Sequence, residues 1–193
     1  MQNIDFTKYR VVVIGGSAGS FPVITKILGM LNSDFPLPIL LCLHRLKHIR
    51  NGFVEALNIK SNIHVIEPED KTMIKSGFAY LAPSNYHLTI EIGNYISLTT
   101  EELINFSRPS IDLSFDSASY VYKDRLIGII LSGANKDGAK GMCRIKSRGG
   151  LSIIQDPVEA SVKTMPESVL SICKPDMVLK TDGIIELLNK IKK

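Results

Sequence analysis

The chain has 193 residues, 45% hydrophobic and 22% charged, enough for one substantial core and too few for two comfortable domains, so residues 1–193 are expected to form a single unit. Its formal net charge of +4 is a mild basic excess without Lys/Arg blocks or interleaved aromatics, which speaks against nucleic acid as a partner. The N-terminus lacks an apolar signal core and no apolar run approaches the roughly 18 to 20 residues that span a bilayer, so a cytoplasmic protein without direct membrane insertion is expected.

Short β-branched runs alternate with longer amphipathic stretches, the pattern of a mostly parallel sheet covered by helices on both faces. The first strand, Val11 to Ile14, enters the loop Gly15-Gly16-Ser17-Ala18-Gly19-Ser20. Ser20 is expected to cap a helix running to about Leu31, with Pro22 in its first turn. A second strand, Ile39 to Leu43, ends at His44, and a short helix near Phe53 to Leu57 and a strand at His64 to Ile66 come after it. The middle breaks the rhythm: Phe78 to Leu81, Tyr86 to Ile92 and Tyr95 to Leu98 are strand-like, with Gly93-Asn94 as the turn of an antiparallel hairpin. Helical periodicity returns from Ile111 to Tyr122, capped by Ser110. A strand from Leu126 to Leu131 and a helix from about Gly138 to Ser147 come next, and Gly149-Gly150 stops that helix. Leu151 to Ile154 reads as a buried strand, and helices are expected near Pro166 to Ile172 and Ile184 to Ile191. The expected fold is therefore α/β: three layers around a mostly parallel, doubly wound, Rossmann-like sheet with a hairpin insertion.

Three strands thus end in chemistry, at Ser17, at His44 and in the loop holding Asp137. On neighbouring parallel strands these residues would meet at one sheet edge, where open α/β folds place their sites, and they are the raw material of a hydrolase triad. Plainer readings exist for each: a helix-capping serine, a satisfied imidazole and a turn-forming aspartate. A dinucleotide loop would want an acidic residue at the end of the second strand, where this chain has His44; Asp34 lies before that strand. His48, four residues after His44, is weak evidence for metal without a carboxylate ligand. The cysteines, at 42, 143 and 173, are odd in number and lack CxxC spacing, which argues against both a disulfide framework and a zinc site. No metal or other cofactor is expected.

Several separated blocks in one order resemble the catalytic domain of the chemotaxis protein-glutamate methylesterase family (CheB type). They include Val13 to Gly19, His44 with Gly52-Phe53, Leu81-Ala82-Pro83 and Tyr86-His87-Leu88. Arg108-Pro109-Ser110-Ile111-Asp112, Leu131-Ser132-Gly133 with Asp137-Gly138-Ala139, and Gly149-Gly150 through Gln155-Asp156-Pro157 and Met165-Pro166 complete the set. The resemblance implies a triad of Ser17, His44 and Asp137, with backbone amides at Ala18 and Ala134 as oxyanion donors. It further implies hydrolysis of glutamate γ-methyl esters on the cytoplasmic helices of chemoreceptors, and a possible glutamine deamidase activity. Lys136, Lys140, Arg144 and Arg148 would offer an acidic substrate a complementary patch, although solvated helix charges are the plainer reading.

The chain departs from the family in carrying Ala134 where Met is common and Asn135-Lys136 where Gly-Asn or Gly-Ser is usual. The family's N-terminal receiver domain has no room before a strand that starts at Val11, so aspartyl-phosphate control within the chain is not expected. An unregulated domain, a separate regulatory protein or a piece of a larger polypeptide are the alternatives. From a different class, a non-catalytic module could use the Gly15 to Ser20 loop to hold an anion or a protein partner.

Overall fold

A computed structural model describes residues 4–45 and 52–192; His48 lies outside them. Seven strands form one sheet in the order β3-β4-β2-β1-β7-β8-β9, with every neighbouring pair parallel. These are β1 (Val11–Gly16), β2 (Ile39–Leu43), β3 (His64–Ile66), β4 (Phe78–Leu81), β7 (Leu126–Ile130), β8 (Leu151–Gln155) and β9 (Met177–Leu179). The chain winds outward from β1 through β2 to β3 and β4, then returns to lay β7 on the other side of β1. That reversal beside β1 is the switch point of a doubly wound sheet.

Period-two alternation sorts the strand residues onto two cores. Val12, Ile14, Ile39, Leu41, Leu43, Ile127 and Ile129 face α1 (Ser20–Met30), α2 (Phe53–Lys60) and α6 (Thr181–Leu188). Val11, Val13, Leu40, Cys42, Ile130 and Ile154 face α3 (Ile111–Tyr122), α4 (Ala139–Ser147) and α5 (Thr164–Ile172). The antiparallel hairpin of β5 (His87–Glu91) and β6 (Tyr95–Thr99) pairs with no other described strand and sends Leu88, Ile90 and Ile96 into this second core. Both faces of the sheet are therefore covered, which is why the central strands read as unbroken apolar runs. No described helix is long and apolar enough to cross a membrane.

Three expectations need correction. Gly19, in the left-handed region at φ 79°, is the N-cap of α1, and Ser20 is its first helical residue, turning its hydroxyl back to Ser17 O at 2.6 Å. A β-carbon at Gly19 would lie 2.7 Å from Ser132 Oγ, so conformation and space both demand glycine. The edge strand β9, only three residues long and preceded by Pro175, leaves too short a periodic trace to be read from sequence. Finally, Cys143 in α4 and Cys173, the C-cap of α5, form a disulfide with Cα atoms 5.8 Å apart. Spacing rules fail here because the pair is brought together by two helices packing on one face of the sheet, while the odd cysteine, Cys42, is buried in β2.

Candidate active site

Ser17 and His44 are the residues that follow the register pair Gly16 and Leu43 of two adjacent parallel strands, whose spacing is about 4.8 Å. His44 N–H donates to Gly16 O at 3.0 Å, which extends the ladder one step and fixes where the imidazole leaves the sheet. Cys42 faces the α3 side, so alternation sends His44 to that side too. There His44 Nε2 meets Asp137 Oδ2 at 2.9 Å.

Asp137 is fully buried, and four further groups donate to its carboxylate. Asn105 Nδ2 reaches Oδ1 at 2.9 Å, Ser110 Oγ reaches Oδ1 at 3.1 Å, and the backbone N–H groups of Ile111 and Asp112 reach Oδ2 and Oδ1 at 2.7 and 3.2 Å. Those amides open α3, so the carboxylate sits on the positive end of a twelve-residue helix and satisfies donors that have no partner within it. Burial by itself would raise the pKa of Asp137. The bonds from His44, Asn105, Ile111 and Asp112 outweigh it and hold the group below the ordinary carboxylate value. An ionised carboxylate only accepts, so Nε2 of His44 carries the ring proton and Nδ1 is left as the basic nitrogen. The amide of Asn135 stands 3.4 Å from Nδ1, while Asn135 Oδ1 accepts from Asp137 N–H at 3.1 Å and shapes the loop after β7.

The Ser17 side is less constrained. Ser17 is half-buried, and its hydroxyl makes no hydrogen bond to His44 or to any other described residue. Its backbone is held instead: Ser17 N–H donates to Ser132 O at 2.9 Å and Ser132 Oγ donates to Ala18 O at 2.8 Å. Ser132 N–H in turn donates to Gln155 Oε1 at 2.9 Å, tying the loop to the end of β8. Neither Ala18 N–H nor Ala134 N–H donates to a described acceptor, and both residues are exposed at this edge. Gly133 allows the loop after β7 to lie against α5, since a β-carbon there would come within 2.5 Å of Met165 Cε.

Several participants carry no signal of a role in the sequence. Asn105 Nδ2 bridges two carboxylates, Asp137 and Asp112, at 2.9 Å each. Asp112 has its pKa raised, chiefly by burial and also by the charge of Asp137, despite bonds from Gly141 and Asn105. His87, fully buried, accepts from Ser110 N–H at Nδ1 and donates from Nε2 to Glu102 O, which anchors the segment that caps α3. Arg45, next to His44, stacks over the Phe53 ring, pairs with Glu67 and donates to Ala82 O at 2.9 Å. His87 and Ser110 are polar positions beside strand and cap signals and Asn105 lies in the loop between them, but only tertiary structure shows that all three lead to one carboxylate.

The chain matches the family model described as CheB methylesterase over residues 12–188. It is 43% identical over 183 residues to a putative protein-glutamate methylesterase/protein-glutamine glutaminase of Leptospira interrogans, covering 95% of both chains. It is 35% identical to the protein-glutamate methylesterase/protein-glutamine glutaminase of Thermotoga maritima, covering 93% of this chain and 53% of that one. The crystal structure of the Thermotoga maritima CheB methylesterase catalytic domain superposes with a TM-score of 0.90 at 34% identity, covering 95% of this chain and 99% of that domain.

Proposed function

The chain belongs to the CheB methylesterase family, and on that premise we propose that it hydrolyses glutamate γ-methyl esters on chemoreceptors through Ser17, His44 and Asp137. The observation that carries this reading is the 2.9 Å contact of His44 with a buried, fully hydrogen-bonded Asp137, on the strand beside the one that ends in Ser17.

In the first half-reaction His44 Nδ1 takes the Ser17 proton as Oγ attacks the ester carbonyl. Asp137 holds the ring's tautomer and offsets the charge of the imidazolium. The contact from Asn135 is long enough to give way to the serine hydroxyl, and catalytic hydrogen bonds commonly tighten only when substrate is bound. The free amides of Ala18 and Ala134 suit an oxyanion, and Ala134 in place of a bulkier side chain leaves that wall open. Methoxide leaves with the proton from His44 as methanol. Water then gives a proton to His44 and attacks the acyl-enzyme, releasing the glutamate carboxylate and restoring Ser17. The same route applied to a glutamine side chain would release ammonia.

The reading places the protein in the cytoplasm, with residues 1–193 acting as one catalytic unit on receptor helices. The test is methanol release from a methylated receptor fragment, with wild type and Ser17→Ala side by side and a serine-directed phosphonate as label. Release and labelling that both vanish in the variant support the proposal. Saturable phosphate binding by a protein that neither releases methanol nor takes the label would replace it with the anion-binding module.

A further inference from the structure

Residues 104–107 form a tight turn closed by Ile104 N–H to Ser107 O at 3.2 Å and Ser107 N–H to Ile104 O at 2.9 Å. Both central residues lie in the left-handed region, Asn105 at φ 51° and Phe106 at φ 61°. Turns of this kind prefer Asn followed by Gly. Asparagine tolerates the first position and uses its side chain on Asp137 and Asp112, but an aromatic residue at the second is an outlier. Nothing in the fold is gained in return, because the Phe106 ring is 98% exposed. Leu103 and Ile104 beside it are also exposed, which makes a small apolar cluster on a segment bonded directly to the triad carboxylate.

The cluster continues into a shallow groove between α3 and α4, lined by Ile104, Leu113 and Lys140, by the Asp116–Arg144 ion pair and by Asp112, which accepts from Asn105. Lys140 and the nearby Lys136 form no ion pair among the described residues. Strain retained at an exposed aromatic, one residue along from the Asn105 amide that bonds Asp137 and beside cations that form no ion pair among the described residues, is the signature of a recognition element rather than of a packing one.

We propose that Phe106 is the apolar anchor for the ester-bearing protein itself, a glutamate-rich segment whose carboxylates face Lys136 and Lys140 while one of its apolar residues covers the ring. The occupant is argued from continuity and charge: any side-chain ester that reaches Ser17 brings its backbone across this edge, and a segment regenerated as glutamate is acidic. The inference rests on the methylesterase reading and deepens it.

The test uses the opposing demands on residue 106. Phe106→Gly completes an Asn-Gly turn, so it should raise Tm while removing the anchor. In the Ser17→Ala background, where ester is not consumed, binding of a labelled, methyl-esterified receptor peptide is measured by fluorescence anisotropy. Phe106→Gly should raise Kd about tenfold, as loss of an aromatic anchor does, and Phe106→Leu should restore most of the affinity. Ile92→Ala, at another well-exposed apolar residue, in the turn of the β5–β6 hairpin, serves as the control and should leave Kd unchanged. A Kd within about twofold of the parent in Phe106→Gly overturns the proposal, and so does weakened binding accompanied by a lower Tm. Methanol release by wild type is read separately: Phe106-dependent binding without release sinks the esterase reading and leaves the docking site, whereas release with Phe106-independent binding does the reverse.

Discussion

The two halves of the candidate site are held in opposite ways. Asp137 accepts from five groups, His44, Asn105, Ser110, Ile111 and Asp112, and is sealed from solvent. Among the described residues Ser17 is held through its backbone alone, and its hydroxyl makes no hydrogen bond. A carboxylate whose task is to keep a ring in one tautomer and orientation gains from rigidity, because any reorganisation at the moment of reaction adds to the barrier. A nucleophile that has to pass its proton to a base and bond to carbon must be free to rotate. On the proposed mechanism the difference separates scaffold from reactant inside one constellation.

The contrast can be broken from its reactive end first. Ser17→Ala should cut methanol release by about 10⁴ to 10⁶, roughly 5 to 8 kcal/mol of barrier, without lowering Tm. A variant that keeps more than a hundredth of wild-type turnover would remove Ser17 as nucleophile. At the rigid end Asp137→Asn should cost about 10⁴ in kcat and, unlike the serine change, should also lower Tm, since the amide cannot repeat a carboxylate's acceptor set. Equal melting temperatures for the two variants would erase the distinction between the halves.

Smaller effects sharpen it. Reducing the Cys143–Cys173 disulfide opens a loop of 30 residues and should cost about 3 to 4 kcal/mol of stability, seen as a fall in Tm with dithiothreitol that Cys143→Ser abolishes. Asn105→Gly keeps the left-handed backbone and removes both amide bonds, so kcat should fall about tenfold to a hundredfold, in keeping with about 1.5 to 3 kcal/mol for hydrogen bonds to charge. The last prediction concerns acid. The folded pKa of Asp137 is depressed, so its contribution to stability is full above the unfolded carboxylate value of about 3.9 and is lost as pH falls through the lower folded value. Between pH 6 and pH 3, wild-type Tm should therefore drop more steeply than that of Asp137→Asn. Parallel curves would show that the carboxylate is not held as described.

Much of this architecture is legible in the residues alone. Strand ends and the glycine loop locate Ser17, His44 and Asp137, because buried parallel strands are continuous apolar runs and the residues just beyond their carboxyl ends must lie at one edge. The same signal marks β4 as a strand but not its place between β3 and β2, since no helix separates β3 from β4 to mark a crossover. Ser20 carries a cap signature, yet the glycine before it takes the cap because only that residue can turn left-handed against Ser132. Local pattern likewise says nothing of Cys143 and Cys173, or of Asn105 and His87: their partners are remote in sequence, and their roles exist only once helices and loops have packed.

Asp137 is also the plug at the head of α3, neutralising the first amides of a helix that carries Phe115 into the core. The candidate site and the cap of that helix consequently share one carboxylate. A descendant of this chain that abandoned hydrolysis would still need an acceptor there for mechanical reasons, whereas nothing in the packing obliges it to keep a hydroxyl at position 17. Among sequences of this architecture, the serine is thus the better witness to working chemistry and the aspartate the better witness to the fold.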